Sequence, residues 1–258
     1  TLGIITELTI RLHGIPEVIA GGICSFNSIG DACRAVATTI QSGIPVARIE
    51  LLDTMQVRAC NGYSGYDFPE TPLLLLEFHG SRQSVEEQSN AFTAIAEAEG
   101  AGEFIWSSDT DERNKLWQVR HDAYWAALSL IPGSQGLTTD VCVPLSRLAE
   151  CVEATQADIE AAGLTAPIVG HVGDGNFHCL PLVPPDQPEK LKAIQEFSKR
   201  LSSRAIAMGG TCTGEHGIGQ GKMDYLIEEI GEAVGAMRAI KQAFDPDNIF
   251  NPDKIFSR

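Results

Sequence analysis

The chain has 258 residues, 43% of them apolar, enough for a sizeable core in one large domain or two small ones. It carries 34 acidic residues against 19 basic ones, a formal charge of -15 with no basic stripe, which excludes nucleic acid as a partner and disfavours anionic lipid surfaces. A small anionic substrate would need a local positive site: a metal ion, an arginine or a lysine. The seven cysteines (24, 33, 60, 142, 151, 179 and 212) are odd in number and contain no CxxC pair. That pattern argues against a disulfide framework or a zinc ribbon and for buried, reduced thiols. No apolar run reaches the roughly 18 residues that span a bilayer, and no signal peptide is visible. These features predict a cytoplasmic protein, or one peripheral to the inner membrane.

Residues 1–12 (TLGIITELTIRL) read as a strand already under way, and residue 1 is Thr, so the chain is expected to be a piece of a longer polypeptide. Residues 19–26 read as a strand, Asn27 and Ser28 as a helix start, and residues 29–42 as a helix ended by Gly43. Residues 45–52 are a second predicted strand. Residues 72–78 (PLLLLEF) form a continuous apolar run, as expected of a strand buried on both faces. A helix over 84–100 and a strand over 103–106 complete the order strand–helix–strand–strand–helix–strand. The expected fold class is therefore α+β, a ferredoxin-like antiparallel sheet covered by helices, with a C-terminal helical portion. Further helices are expected over 111–130, 145–162, 188–208 and 224–244, and a strand over 137–144. Pro246 blocks the last helix, and the tail 245–256 reads as irregular.

The segment 171–178 (HVGDGNFH) holds the strongest chemical signal. Asp-Gly flanked by strand-like residues is a preferred two-residue hairpin loop. With Asp174 and Gly175 at the tip, His171 faces His178, close enough for two imidazoles to share one divalent metal. A catalytic metal site usually needs a third protein ligand, and Glu215, in the glycine-dense stretch 209–219, is the best candidate. A His2Glu set suits zinc, manganese or ferrous iron. His216, adjacent to Glu215, is a candidate general base. Arg120, on a predicted helix, can hold a carboxylate through two parallel hydrogen bonds, or can form a plain surface ion pair. Lys222 follows a Gly-Gln-Gly run, but the spacing does not match a phosphate-binding loop.

Five stretches resemble one family: GHVGDGNFH, GGTCTGEHGIGQGK, ARIELLD at 47–53, TDVCVPLSRL at 139–148 and the closing FDPDNIFNPDKIF. It is the flavin-linked D-2-hydroxy acid dehydrogenases, which include cytochrome-linked D-lactate dehydrogenase, D-2-hydroxyglutarate dehydrogenase and the D subunit of glycolate oxidase. The resemblance implies that residues 14–258 form the substrate and metal domain and that residues 1–13 are the final strand of an absent FAD-binding domain. It implies His171, His178 and Glu215 as metal ligands, His216 as the catalytic base, Arg120 as the carboxylate anchor and Asn251 as a neighbour of the flavin ring. FAD would be held mainly by the absent domain, since no glycine-rich diphosphate loop is present.

Relatives that take dicarboxylic acids are expected to carry a lysine near 137–144. This chain has Leu137-Thr138-Thr139-Asp140 there, with Tyr124 and Trp125 nearby, which favours D-lactate or glycolate. The implied reaction is oxidation of a 2-hydroxy acid to the 2-oxo acid with hydride transfer to FAD, and with a cytochrome or quinone as the onward acceptor. Two other classes remain open at this point: a metal-dependent hydrolase and a non-catalytic subunit of a flavin oxidase. The oligomeric state, a homodimer included, is also open.

Overall fold

The structure is a computed structural model that describes residues 1–256. Its first half is built on β1 (Val18–Ser25), α1 (Ile29–Gln41), β2 (Val46–Leu52), β3 (Leu73–Gly80), α3 (Arg82–Ala98) and β4 (Phe104–Ser107). The strands lie in the order β4-β1-β3-β2, each antiparallel to its neighbours, so the ferredoxin-like expectation stands. Local chemistry starts the helices where the sequence places them. Ser28 caps α1 by accepting a bond from the Asp31 amide at 3.1 Å, and Ser81 caps α3 through the Ser84 amide at 3.2 Å.

One helix was not legible in the sequence: α2 (Thr54–Ser64), inserted between β2 and β3 and capped by Asp53. Its polar surface hides the helical period. Among its residues only Gln56, Val57, Ala59 and Cys60 are buried. Burial pushes the Asp53 carboxyl up to about 7, against the pull of three backbone hydrogen bonds.

The second half extends the sheet beyond β2 with β7 (Ile168–Gly170), β8 (Asn176–Cys179) and β6 (Val141–Cys142), giving seven strands among the described residues. A short pair, β5 (Gln135–Gly136) and β9 (Leu182–Val183), stands apart. Helices α5 (Leu145–Ala161) and α6 (Lys190–Ala207) join α1 and α3 on one face. Helix α4 (Thr110–Ser129) joins α2 on the other. The run in β3 shows why both faces need cover. Leu74, Leu76 and Phe78 enter the first core, while Leu73 and Leu75 enter the second with Trp117 and Val119. Each fully buried Leu contributes on the order of 2 kcal/mol.

Two expectations are corrected here. The strand over 137–144 shrinks to β6, because Thr139 and Asp140 are buried and turn their polar groups to partners inside the fold. The helix over 224–244 is two helices, α7 (Met223–Ile230) and α8 (Ala233–Phe244). They are separated at Gly231, whose φ of 54° and ψ of -122° no helix accommodates. Their junction lets Leu226, Val234 and Phe256 form a small satellite core on which Leu2 also packs. Residues 1–12 make no sheet pairing among the described residues, and Ile4, Ile5, Leu8, Ile10 and Leu12 are exposed.

Candidate active site

The site lies where the sheet extension meets the ferredoxin-like core. His171 follows β7 and His178 lies on β8, but the expected register is wrong: Val169, not His171, faces His178. The loop is longer than two residues, because a 3₁₀ turn over Val172–Asp174 intervenes and Gly175 closes it at φ 85°. Two packing constraints impose this. Val172 is fully buried in the main core, which draws the chain out of the ladder. A side chain at Gly175 would meet the Val143 carbonyl at 2.0 Å, so the backbone can pass there only as glycine. The two imidazoles still meet, with ring centroids 5.9 Å apart and planes at 84°.

Hydrogen bonds fix which nitrogen of each ring is available. His171 Nδ1 lies 2.5 Å from Glu50 Oε1, and His178 Nδ1 lies 3.2 Å from the Thr139 carbonyl. Each Nδ1 therefore carries the proton, which leaves the Nε2 lone pairs free in the neutral tautomers. Both Nε2 atoms face Glu215 Oε1, at 3.7 Å from His171 and 3.0 Å from His178. Three acceptor atoms thus converge within 4.8 Å of one another, with only a long contact from Arg120 Nη2, 3.4 Å from His171 Nε2, at their edge. Such a set repels itself until a proton or a cation sits in it, and its chemistry fits a divalent metal. The pKa values of the two rings move in opposite directions. The bond to Glu50 raises the His171 pKa against the opposing effect of burial. Burial lowers that of His178, although Asp140 pulls the other way.

Asp140 organises the other side. Its Oδ2 accepts from Thr213 Oγ1 at 2.8 Å and from the amides of Glu215 and His216 at 3.0 and 2.9 Å. Its Oδ1 accepts from Asn176 Nδ2 at 2.8 Å. Burial would raise its pKa, but these donors outweigh burial and hold the carboxyl far below the usual range. The loop that carries Glu215 and His216 is therefore tied to one buried carboxylate. Lys222 completes the tie, donating to the carbonyls of Asp140 and Cys212 at 2.8 and 2.7 Å. Its ammonium faces protein carbonyls.

A cavity of about 300 Å³ opens over these groups, lined by His171, His178, Glu215, His216, Arg120 and Tyr124 among others. His216 stacks on His178 at 4.9 Å with planes 8° apart. Arg120 reaches the cavity from α4, its Nε bonded to Glu50 at 2.9 Å. The sequence-predicted His171, His178, Glu215, His216 and Arg120 are thus brought together. Asn251 is not: with φ 44° it lines a separate cavity with Arg238, Lys241 and Lys254. Glu50 and Asp140 had no assigned role. The available signal was a lone acid inside an apolar strand, Ile49-Glu50-Leu51, and a second acid before Val141-Cys142-Val143.

The chain is 46% identical over 256 residues to a probable mitochondrial D-lactate dehydrogenase of Danio rerio, covering 99% of this chain and 52% of that protein. It is 39% identical to the mitochondrial D-lactate dehydrogenase [cytochrome] of Arabidopsis thaliana, covering 99% and 45%. It is 30% identical to the glycolate oxidase subunit GlcD of Bacillus subtilis, covering 100% and 55%. The chain spans about half the length of the curated relatives it matches. Its fold is that of a 4-ethylphenol oxidase from Gulosibacter chungangensis, with a TM-score of 0.72 at 16% identity over 96% of this chain and 55% of that one. The expected cytoplasmic location does not stand, because the similar relatives from Danio rerio, Arabidopsis thaliana and Saccharomyces cerevisiae are named mitochondrial. Among the described residues no helix is long and apolar enough to cross a membrane. Residues 15–255 match the C-terminal domain of FAD linked oxidases, and the chain belongs to that family.

Proposed function

We propose that this chain is the substrate- and metal-binding part of a flavin-dependent D-2-hydroxy acid dehydrogenase that oxidises D-lactate, or glycolate, to the 2-oxo acid. One observation carries the reading: the acceptor atoms of His171, His178 and Glu215 converge in a cavity that also holds Arg120 and His216. The names of the similar relatives support the same chemistry. The family requires FAD, held mainly outside these residues, with Asn251 the assigned neighbour of its ring; a cytochrome is the favoured onward acceptor, as in the names of the relatives. When bound, the divalent cation acts as a Lewis acid towards the substrate hydroxyl and FAD as the two-electron acceptor.

The chain's own residues do the rest. His171, His178 and Glu215 hold the cation. Arg120 fixes the substrate carboxylate through its guanidinium, which helps orient C2. His216, on the cavity wall, accepts the hydroxyl proton, whose own pKa lies far above 7. The test uses the full-length protein, a panel of D-2-hydroxy acids and an artificial electron acceptor. Flavin bleaching by D-lactate or glycolate is expected. In His178→Ala the bound metal, measured by elemental analysis, should be lost with the fold intact. A protein that binds metal but never reduces flavin would point back to a metal-dependent hydrolase and overturn the proposal.

A further inference from the structure

We propose that Glu50 is a positioning residue that couples the cation site to the carboxylate site, one oxygen serving each. The inference rests on the function proposed above. Glu50 lies on β2, where it is 7% exposed and its side chain shares the sheet face of Leu52 and Leu75. A carboxylate in that layer is costly unless it is paired. Both of its oxygens are paired, and with groups of the active site: Oε1 with His171 Nδ1 at 2.5 Å, and Oε2 with Arg120 Nε at 2.9 Å. The first bond fixes the tautomer and ring angle that turn His171 Nε2 toward Glu215. The second fixes the plane of the guanidinium.

Charge makes the coupling more than geometric. Arg120 Nη2 lies 3.4 Å from His171 Nε2, the same lone pair that a cation needs. An arginine and a divalent cation beside the same imidazole nitrogen repel each other strongly in a partly buried site. Glu50 holds the arginine by its Nε edge and supplies the negative charge that allows both cations to be close. Without that carboxylate nothing draws the guanidinium back by its Nε edge: the existing long contact of Nη2 with His171 Nε2 is free to tighten and block the ligand, and the cation in turn drives Arg120 from the position that receives substrate. Glu50 thus serves metal affinity and substrate affinity at once, whereas a plain ion pair would serve neither.

The experiment uses the flavin-loaded full-length enzyme and compares wild type with Glu50→Gln and Glu50→Asp. Calorimetric titration with Mn²⁺ reads the metal site, and the KM for D-lactate at saturating Mn²⁺ reads the carboxylate site. In Glu50→Gln, Mn²⁺ binding should weaken by about 10- to 100-fold, the range for an outer partner of a metal-bound histidine. KM should rise severalfold even when the metal is saturating, with kcat changed less. Glu50→Asp keeps the buried charge, and with it the fold, but falls about 1.5 Å short of its partners. It should lose threefold or more in both readouts. Wild-type Mn²⁺ affinity in either folded variant, or weakened Mn²⁺ binding with an unchanged KM, would overturn the coupling. If wild type itself fails to bind Mn²⁺ or to oxidise any D-2-hydroxy acid, the functional reading falls, and the role of Glu50 falls with it.

Discussion

Replacing Asp140 with Asn separates the charge of this residue from its shape. The side chain accepts four hydrogen bonds, three on Oδ2 and one on Oδ1, and lies 3.6 Å from Lys222 Nζ. Asparagine has one acceptor oxygen. Turned so that the oxygen keeps Thr213 and the two amides, it presents an amide nitrogen to the amide nitrogen of Asn176. One charge-assisted bond is lost, at about 1.5–3 kcal/mol, and the three that remain become neutral and weaker. Lys222 also loses its nearest negative charge. The sum is about 3–5 kcal/mol, the range for breaking a buried ion pair from one side. At roughly 2–4 °C per kcal/mol for a domain of this size, melting should fall by on the order of 10 °C. Urea unfolding would show a lower midpoint with an unchanged slope. A midpoint equal to wild type would refute the reasoning, because it would mean the loop of Glu215 and His216 does not depend on this carboxylate.

Two other perturbations follow from the same geometry. Asp158 accepts from Arg200 and Arg204, tying α5 to α6; these bonds outweigh burial and lower its pKa. Its stabilisation is therefore fully present above the unfolded carboxylate pKa of about 4 and is lost as pH falls through the lower folded value. In urea titrations Asp158→Asn should be less stable than wild type at pH 7, with the gap narrowing as pH falls below about 4; a gap that widens toward acid would reverse the sign of the argument. Gly175→Ala forces a β-carbon against the Val143 carbonyl at a φ of 85°. It should cost at least about 2 kcal/mol, from backbone strain and the clash together, and weaken metal binding by disturbing the turn between His171 and His178. Wild-type melting in that variant would show that the turn has room the structure does not contain.

The elements most legible in the sequence are those whose local and global demands agree. Helix α1 has its cap, its apolar period and its glycine stop in one stretch, and it was expected over 29–42 against an observed Ile29–Gln41. The leucine run of β3 announces two-sided burial because no polar face interrupts it. Helix α2 escaped because it is held by contacts from afar. Gln56 donates to the Ala123 carbonyl on α4 at 2.9 Å, a bond that no local pattern signals. The hairpin forms, but its expected two-residue turn and register failed for the converse reason. Asp-Gly is a good local turn, but the burial of Val172 and the backbone approach at Gly175 are tertiary demands, and they override it.

For the site, residue type was enough to nominate the groups that meet a ligand, and too little to nominate those that aim them. Histidines flanking a turn and a glutamate among glycines stand out because their side chains are unusual in those settings. The two carboxylates behind them are not: Glu50 sits inside an apolar strand, and Asp140 precedes one. Each is made legible only by donors far away in the chain, Arg120 and His171 for the first, Thr213, Glu215 and His216 for the second. Yet a buried acid inside an apolar strand carries a physical implication by itself. Leaving a carboxylate unpaired there costs several kcal/mol, a large part of the 5–15 kcal/mol that holds a domain together. A partner must exist, and in an acidic chain with 19 basic residues the candidates are few. For the acid in β2 the fold brings Arg120 and His171, and neither lies near it in the sequence, so the need for a partner is local while its identity is tertiary.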